Sequence, residues 1–156
     1  MEQALKFVAD HMLGRLAKWL RALGYDTVYS PNLDDPDLVR ISQAEDRLLL
    51  TRDTGIAKRK GVDCLLISSD NLDEQLGQVV RHCGLQLDGE LAPRCLRCNE
   101  VLDEVQREVA RDLVPPYVWQ TQSQFRRCPA CSRLYWRGTH WTKMKERIAA
   151  LSCKLT

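Results

Sequence analysis

No apolar run in the 156-residue sequence approaches the roughly 20 residues that a membrane-spanning helix needs, so a protein built around such a helix is excluded. The opening stretch, Met1 to Asp10, lacks both a long apolar segment and a cleavage site. It does not read as a secretion signal, and a cytoplasmic location is expected. Internal repeats and low-complexity segments are missing too, which excludes solenoids and extended linkers. Strong net charge is also missing, at +2 overall, but the charge is unevenly spread. Residues 1–94 carry 12 Lys/Arg against 15 Asp/Glu, a net of −3, and residues 95–156 carry 11 against 6, a net of +5. An acidic first part joined to a basic second part suits a metal-dependent enzyme with an appendage that grips a polyanion.

What is present is ordinary in bulk: 44% apolar and 28% charged residues, as in a soluble globular protein. The length accommodates one core of roughly 90 residues plus a small metal-stapled module. Seven cysteines are the unusual feature. In a reducing compartment, two close pairs point to metal before disulfides. Cys95-x2-Cys98 and Cys128-x2-Cys131 are separated by 29 residues. Each pair places two thiolates on one tight knuckle, and two knuckles complete a tetrahedral site for Zn²⁺. All four positions are filled by protein, so the zinc is structural. A redox dithiol is the competing reading for a single pair, but two pairs within a basic module speak against it. His140 is not needed as a ligand. Cys64 sits in an apolar run and reads as a core residue, and Cys83 and Cys153 have no assigned role.

The first part alternates strand and helix. Lys6 to Asp10 reads as a short buried strand, followed by a helix from about Met12 to Leu23. Leu13, Leu16, Ala17, Leu20 and Leu23 form its apolar stripe, Arg15, Lys18 and Arg21 lie off that stripe, and Gly24 stops it. Thr27 to Tyr29 is a second strand. Asp35 reads as the N-cap of a helix with Pro36 at its first position, running to about Glu45. Arg47 to Thr51 is a third strand, Ile56 to Lys60 a helical turn, Cys64 to Ile67 a fourth strand, and Leu72 to Cys83 a helix, with Asp70 able to cap it. This alternation predicts an α/β fold: a mostly parallel sheet with helices on both faces. The boundary falls near Asp88 to Pro93, giving domains at 1–92 and 93–156. In the second, Val101 to Leu113 is compatible with a helix.

Asp10 and Asp53 follow their strands directly, at the edge where ligands of parallel sheets sit. Asp34, Asp35, Asp37, Glu45, Asp46 and Asp70 are the other acidic candidates. Carboxylates at strand ends suit Mg²⁺ or Mn²⁺ and activation of water for phosphodiester attack. An Asp between a strand and a helix is equally a natural N-cap, and spacing does not separate the two roles. Around and downstream of the second knuckle, Arg126, Arg127, Arg133, Arg137, Lys143, Lys145 and Arg147 face the single acid Glu146, interleaved with Tyr135, Trp136 and Trp141. Cations with aromatics fit phosphates and unpaired bases. A small metal domain also needs its large side chains for its own core, and at least one of the three aromatics is expected there.

Taken in order, these motifs resemble one family. Asp10-x2-Leu13-x2-Leu16-Ala17-x-Trp19-Leu20-Arg21-x-Leu23-Gly24-x-Asp26 is similar to the opening of the Mut-seven C-terminal RNase domain, a PIN-like nuclease domain carrying a zinc ribbon. Glu45-x-Arg47-x-Leu49-Leu50-Thr51-Arg52-Asp53 resembles its third-strand signature. Arg94-Cys95-x2-Cys98-Asn99 and Cys128-Pro129-x-Cys131-x3-Tyr135-Trp136-x-Gly138-x-His140-Trp141 resemble its ribbon. Ser42 departs from the pattern, standing where a small alanine is usual.

The resemblance spans about residues 5–145. It implies a PIN-like sheet domain, a zinc ribbon and metal-dependent ribonuclease chemistry. It carries catalytic acids onto Asp10, Asp53 and Asp35, and Asp37 joins them as a neighbour on the same helical turn. The expected site then has Asp10 and Asp53 holding Mg²⁺ or Mn²⁺, and Arg15, Lys18 and Arg52 on phosphates. Single-stranded RNA would lie against Arg133, Tyr135, Trp136, Arg137 and Trp141. The alternative is a non-catalytic RNA-binding or ribosome-associated adaptor with a degenerate nuclease fold. A toxin-like nuclease restrained by an antitoxin is a third reading, which the ribbon favours less.

Overall fold

The computed structural model describes residues 5–155. Four short strands, β1 (Lys6–Ala9), β2 (Asp26–Val28), β3 (Leu48–Thr51) and β4 (Cys64–Leu66), form a parallel sheet in the order β2-β1-β3-β4. Phe7 lies opposite Thr27 on one side and Leu48 on the other, and Leu50 lies opposite Leu65. Strands covered on both faces need near-continuous apolar sequence. Phe7-Val8-Ala9 and Leu48-Leu49-Leu50 supply it, and all six are buried.

Alternation along the strands divides the core in two. Phe7, Ala9, Leu48, Leu50, Leu65 and Ile67 face one layer of helices, α1 (Gly14–Ala22), α4 (Leu72–Cys83) and α7 (Thr139–Leu155). Val8 and Leu49 face the other, where α2 (Asp35–Glu45) inserts Leu38 and α3 (Thr54–Ala57) inserts Ile56. The mixed α/β architecture with helices on both faces is therefore present. Helix α7 reaches well beyond the cysteines: Met144, Ile148 and Leu151 join the main core, and Arg147 pairs with Asp73 of α4 at 2.9 Å.

Several local expectations are corrected. The first helix opens with a 3-10 turn, His11–Leu13, because Asp10 accepts from the His11 N–H. Asp34, not Asp35, caps α2. It accepts from the Asp37 N–H at 2.9 Å while Asp37 accepts from the Asp34 N–H, a reciprocal capping box. Asn71, not Asp70, caps α4 by accepting from Glu74. Asp53 starts the third helix early, at Thr54. Arg21 is not off the stripe: it is only 6% exposed.

The second part is a three-stranded antiparallel ribbon, β5 (Asp103–Val105), β6 (Phe125–Arg127) and β7 (Leu134–Tyr135), in the order β5-β6-β7. Val101 to Leu113 is thus no continuous helix. It gives β5 and then one turn, α5 (Arg107–Ala110), because Val105 pairs with Phe125. A further helix, α6 (Pro116–Thr121), begins with proline at its first position. Arg107 stacks on the Trp119 ring at 3.6 Å, and Trp119 Nε1 donates back to the Arg107 carbonyl, closing this insert on itself.

The ribbon docks on β2 through polar contacts. Thr27 donates its N–H to Asn99 Oδ1 at 2.9 Å, and its carbonyl accepts from Arg21 Nε at 2.9 Å. Asn99 also donates to Asp26, whose Oδ1 accepts from Arg47 at 2.8 Å. Partial burial works against ionisation of Asp26, but the hydrogen bonds from Arg47 and Asn99 outweigh it and hold the carboxyl below the usual range. Ser42, the departure noted above, is buried and donates to the Arg47 carbonyl at 2.7 Å, fixing the α2–β3 turn.

Candidate functional site

Strand β1 is flanked by β2 and β3, so the chain leaves β1 to one side and crosses to the other between β2 and β3. Parallel sheets bind ligands beyond the carboxyl ends of the strands at such a switch point. Asp10 and Asp53 follow the two strands that flank it.

Asp10 is 2% exposed and both of its oxygens are engaged. Oδ2 accepts from Thr51 Oγ1 at 2.7 Å, and Oδ1 accepts from the His11 N–H and lies 2.8 Å from His11 Nδ1. Thr51, fully buried, also accepts from the Asp53 N–H at 3.0 Å. One hydroxyl therefore links the Asp10 carboxylate to the backbone N–H of Asp53. Asp53 itself is exposed and accepts from the Gly55 N–H at 2.7 Å. Both aspartates cap helical turns, so the capping role is present at each.

Asp35 opens α2 and is half-buried, whereas Asp37 is committed to the capping box and to Arg40 at 3.0 Å. The Arg40 hydrogen bond, followed by the bonds from Asp34, holds the Asp37 carboxyl below its ordinary value. Among the described residues, these carboxylates form no group of three close enough to share an ion. Arg15 is exposed on the first turn of α1, and Arg52 is half-buried beside Asp53.

Cys95, Cys98, Cys128 and Cys131 do form such a group, with all four sulfurs within 4.8 Å of one another. The Cys95 and Cys131 sulfurs lie 3.7 Å apart, close to the edge of about 3.8 Å of a tetrahedron with Zn–S bonds of about 2.3 Å. The two knuckles repeat one backbone pattern. Cys98 and Cys131 N–H groups point at the sulfurs of Cys95 and Cys128, at 3.3 and 3.5 Å. Asn99 and Ser132 then donate to the Cys95 and Cys128 carbonyls, and both have positive φ, 69° and 64°. This donor set fits a metal ion such as zinc.

Tyr135 supports it: its hydroxyl accepts from the Leu96 N–H at 3.0 Å and donates to Cys95 Sγ at 3.2 Å. Burial opposes ionisation of Cys95, but the Tyr135 hydroxyl and the backbone N–H groups of Cys98 and Arg97 hold the thiol at about 7. Burial and the neighbouring Cys131 thiol push Cys98 up to about 12. Cys64 and Cys83, outside the group, are half-buried, and burial raises both thiols.

Arg133, Tyr135, Trp136 and Trp141 line a cleft of about 760 Å³ between the ribbon, α1 and the start of α7. The three aromatics are largely occupied. Tyr135 serves the knuckle, Trp136 packs on Phe125 at 6.3 Å, and Trp141 has Arg137 and Lys145 over its ring at 5.3 and 5.1 Å. Arg137 is thus spent on Trp141 and does not line the cleft. Lys18 lies in the cleft, away from the acidic edge where the sequence reading put it.

Sequence reasoning quoted Thr51 and Asn99 within motifs but gave them no role, placed Arg21 off the apolar stripe, and missed Tyr117. Arg21 had a signal, since it stands four residues after Ala17 on the flank of the apolar stripe. Tyr117 had a weaker one, the Pro115-Pro116 helix start beside it.

Residues 5–148 match the model of the family described as the Mut7-C RNAse domain. No curated protein and no solved structure matches the chain.

Proposed function

The chain belongs to the Mut7-C RNAse domain family, and from that membership we propose that it is a metal-dependent ribonuclease acting on single-stranded RNA. The observation that supports the active site is the link from the Asp10 carboxylate through the Thr51 hydroxyl to the Asp53 N–H, at the switch point of the sheet. Mg²⁺ and Mn²⁺ are commonly held by one or two carboxylates together with water and substrate phosphate, which suits a site of two aspartates. Asp10 and Asp53 would hold the ion, Asp35 falls in no close group of three acids with them among the described residues, and Asp37 keeps α2 in place. When bound, the ion supplies a Lewis acid and an activated water. Thr51 orients Asp10, and Arg15 and Arg52 attract the phosphates that flank the scissile bond. Zinc fills the four-cysteine site, and the ribbon holds the RNA.

The test is cleavage of an unstructured RNA with Mn²⁺ by the wild type and by the Asp10→Asn, Asp53→Asn double variant. The variant should lose at least a hundredfold in rate while retaining bound zinc. Undiminished cleavage would remove this site from consideration.

A second reading is a non-catalytic RNA-binding adaptor. Two observations favour it: among the described residues Asp10 and Asp53 belong to no group of three acids close enough to share an ion, and both oxygens of Asp10 are engaged. It predicts salt-sensitive RNA binding and no metal-dependent cleavage.

A further inference from the structure

We propose that the cleft between α1, the ribbon and the start of α7 seats a single-stranded RNA segment, and that the exposed face of α1 carries that strand to Asp10. The seat stands by itself. What happens at the far end of the strand rests on the ribonuclease reading.

Lys18, Arg97, Arg126 and Arg133 line the cleft, and no Asp or Glu does. Arg126 is paired with Glu90 at 3.1 Å, but Lys18, Arg97 and Arg133 have no carboxylate partner among the described residues. Three unpaired cations around one concavity repel each other and attract a polyanion. They come from three different elements: α1, the first knuckle and the turn after the second knuckle. Their convergence is a property of the fold and was invisible in the linear sequence.

Tyr117 stands on α6 at the rim, 69% exposed, and its ring makes no aromatic contact among the described residues. A free aromatic face beside unpaired cations is the combination that takes a base and its phosphates together. An acidic peptide would satisfy the cations but leave this ring unused.

The route out of the cleft follows from helix geometry. Lys18 and Arg15 are three residues apart, hence neighbours on one face of α1, and both are exposed. Arg15 is the nearer to Asp10, since α1 begins at Gly14. Lys18 and Asp10 are eight residues apart, four along α1 and four across the 3-10 turn, on the order of 14 Å if the two turns run on from one another. At about 3.4 Å per stacked nucleotide, that distance takes roughly four nucleotides. The strand is therefore anchored at one place and presented at another, which sets a minimum substrate length.

The experiment uses the zinc-loaded full chain and fluorescein-labelled oligouridylates of three, six and twelve nucleotides, with binding read by anisotropy without added divalent metal. The Lys18→Glu, Arg97→Glu double variant should bind the twelve-mer at least tenfold more weakly with unchanged zinc content, and its log–log salt slope should fall by about two. Tyr117→Ala, which changes no charge, should weaken binding about fivefold without altering the slope. Lys60→Glu, a charge reversal outside the cleft, should do neither. The trinucleotide should bind more weakly than the twelve-mer, and the cleft variants should weaken it further.

Unchanged twelve-mer binding by the double variant overturns the proposal, as does decaglutamate binding as tightly as the twelve-mer. Cleavage followed in parallel separates the two readings. Lost binding in the cleft variants with no cleavage by any form supports the seat and sinks the nuclease. Cleavage abolished by Asp10→Asn with normal binding in the cleft variants does the reverse.

Discussion

Arg21 reaches out of α1 to donate to the carbonyl oxygen of Leu96 at 2.9 Å, inside the first cysteine knuckle. The same guanidinium donates to Arg97 and Thr27. Burial pulls it below its ordinary pKa, opposed by the nearby Cys95, Cys98 and Asp26. A single buried cation thus joins the sheet domain, its edge strand and the metal knuckle.

Replacing it should be felt in both parts. Arg21→Met should lower stability in urea by about 2–3 kcal/mol, because hydrogen bonds to a charged group are lost and their acceptors left bare. Arg21→Lys should recover little of this, since one ammonium cannot address three carbonyls in a fixed fork. Zinc affinity, read by competition with a chelator, should fall in parallel. Wild-type zinc affinity in Arg21→Met would show that the two parts are not coupled.

Asp26 predicts an acid limb. Its folded pKa lies below its unfolded value of about 3.9. Its stabilisation is therefore complete above that value and disappears as pH falls through the lower folded pKa. Asp26→Asn should be less stable than wild type near neutrality, and the gap should close below about pH 4. Thermal melts across that range decide it.

Thr51→Val keeps the shape of a buried side chain but removes the hydroxyl that joins Asp10 to Asp53. Mn²⁺ affinity should fall about 10–100-fold, the range seen when groups that orient metal ligands are lost. Thr51→Ser should restore most of it. Isothermal titration with Mn²⁺ separates this from a loss of folding.

Asp34→Ala should cost about 1 kcal/mol through loss of the α2 cap. Mn²⁺ binding should be untouched, since Asp34 serves the helix and not the acid edge. A matching loss of Mn²⁺ affinity would place the start of α2 in the site.

The parallel sheet was legible in sequence because Phe7-Val8-Ala9 and Leu48-Leu49-Leu50 are too apolar for a one-sided sheet. The cysteine site was legible because CxxC spacing encodes its own local geometry, confirmed by the repeated N–H to sulfur bonds. Cap positions were harder. Asp34, Asp35 and Asp37 are chemically alike, and only the backbone reveals which one accepts from the third N–H of the helix. The insert was misread because Val101 to Leu113 is apolar enough for a helix, whereas pairing of Val105 with Phe125 is a contact 20 residues away. Long-range convergence, such as that of Lys18 with Arg133, leaves no local trace at all.

The outward contacts of Thr27 have one more consequence. Strand β2 ends the sheet, and Asn99 and Arg21 take the N–H and carbonyl of its central residue. Both partners depend on the ordered knuckle, Asn99 directly and Arg21 through the Leu96 carbonyl. The ribbon is in this sense an edge guard, filling hydrogen bonds that another chain's strand would otherwise seek. Stripping the metal should therefore produce sticky protein before it produces unfolded protein. Light scattering should rise at temperatures where the far-ultraviolet signal of the helices is still intact.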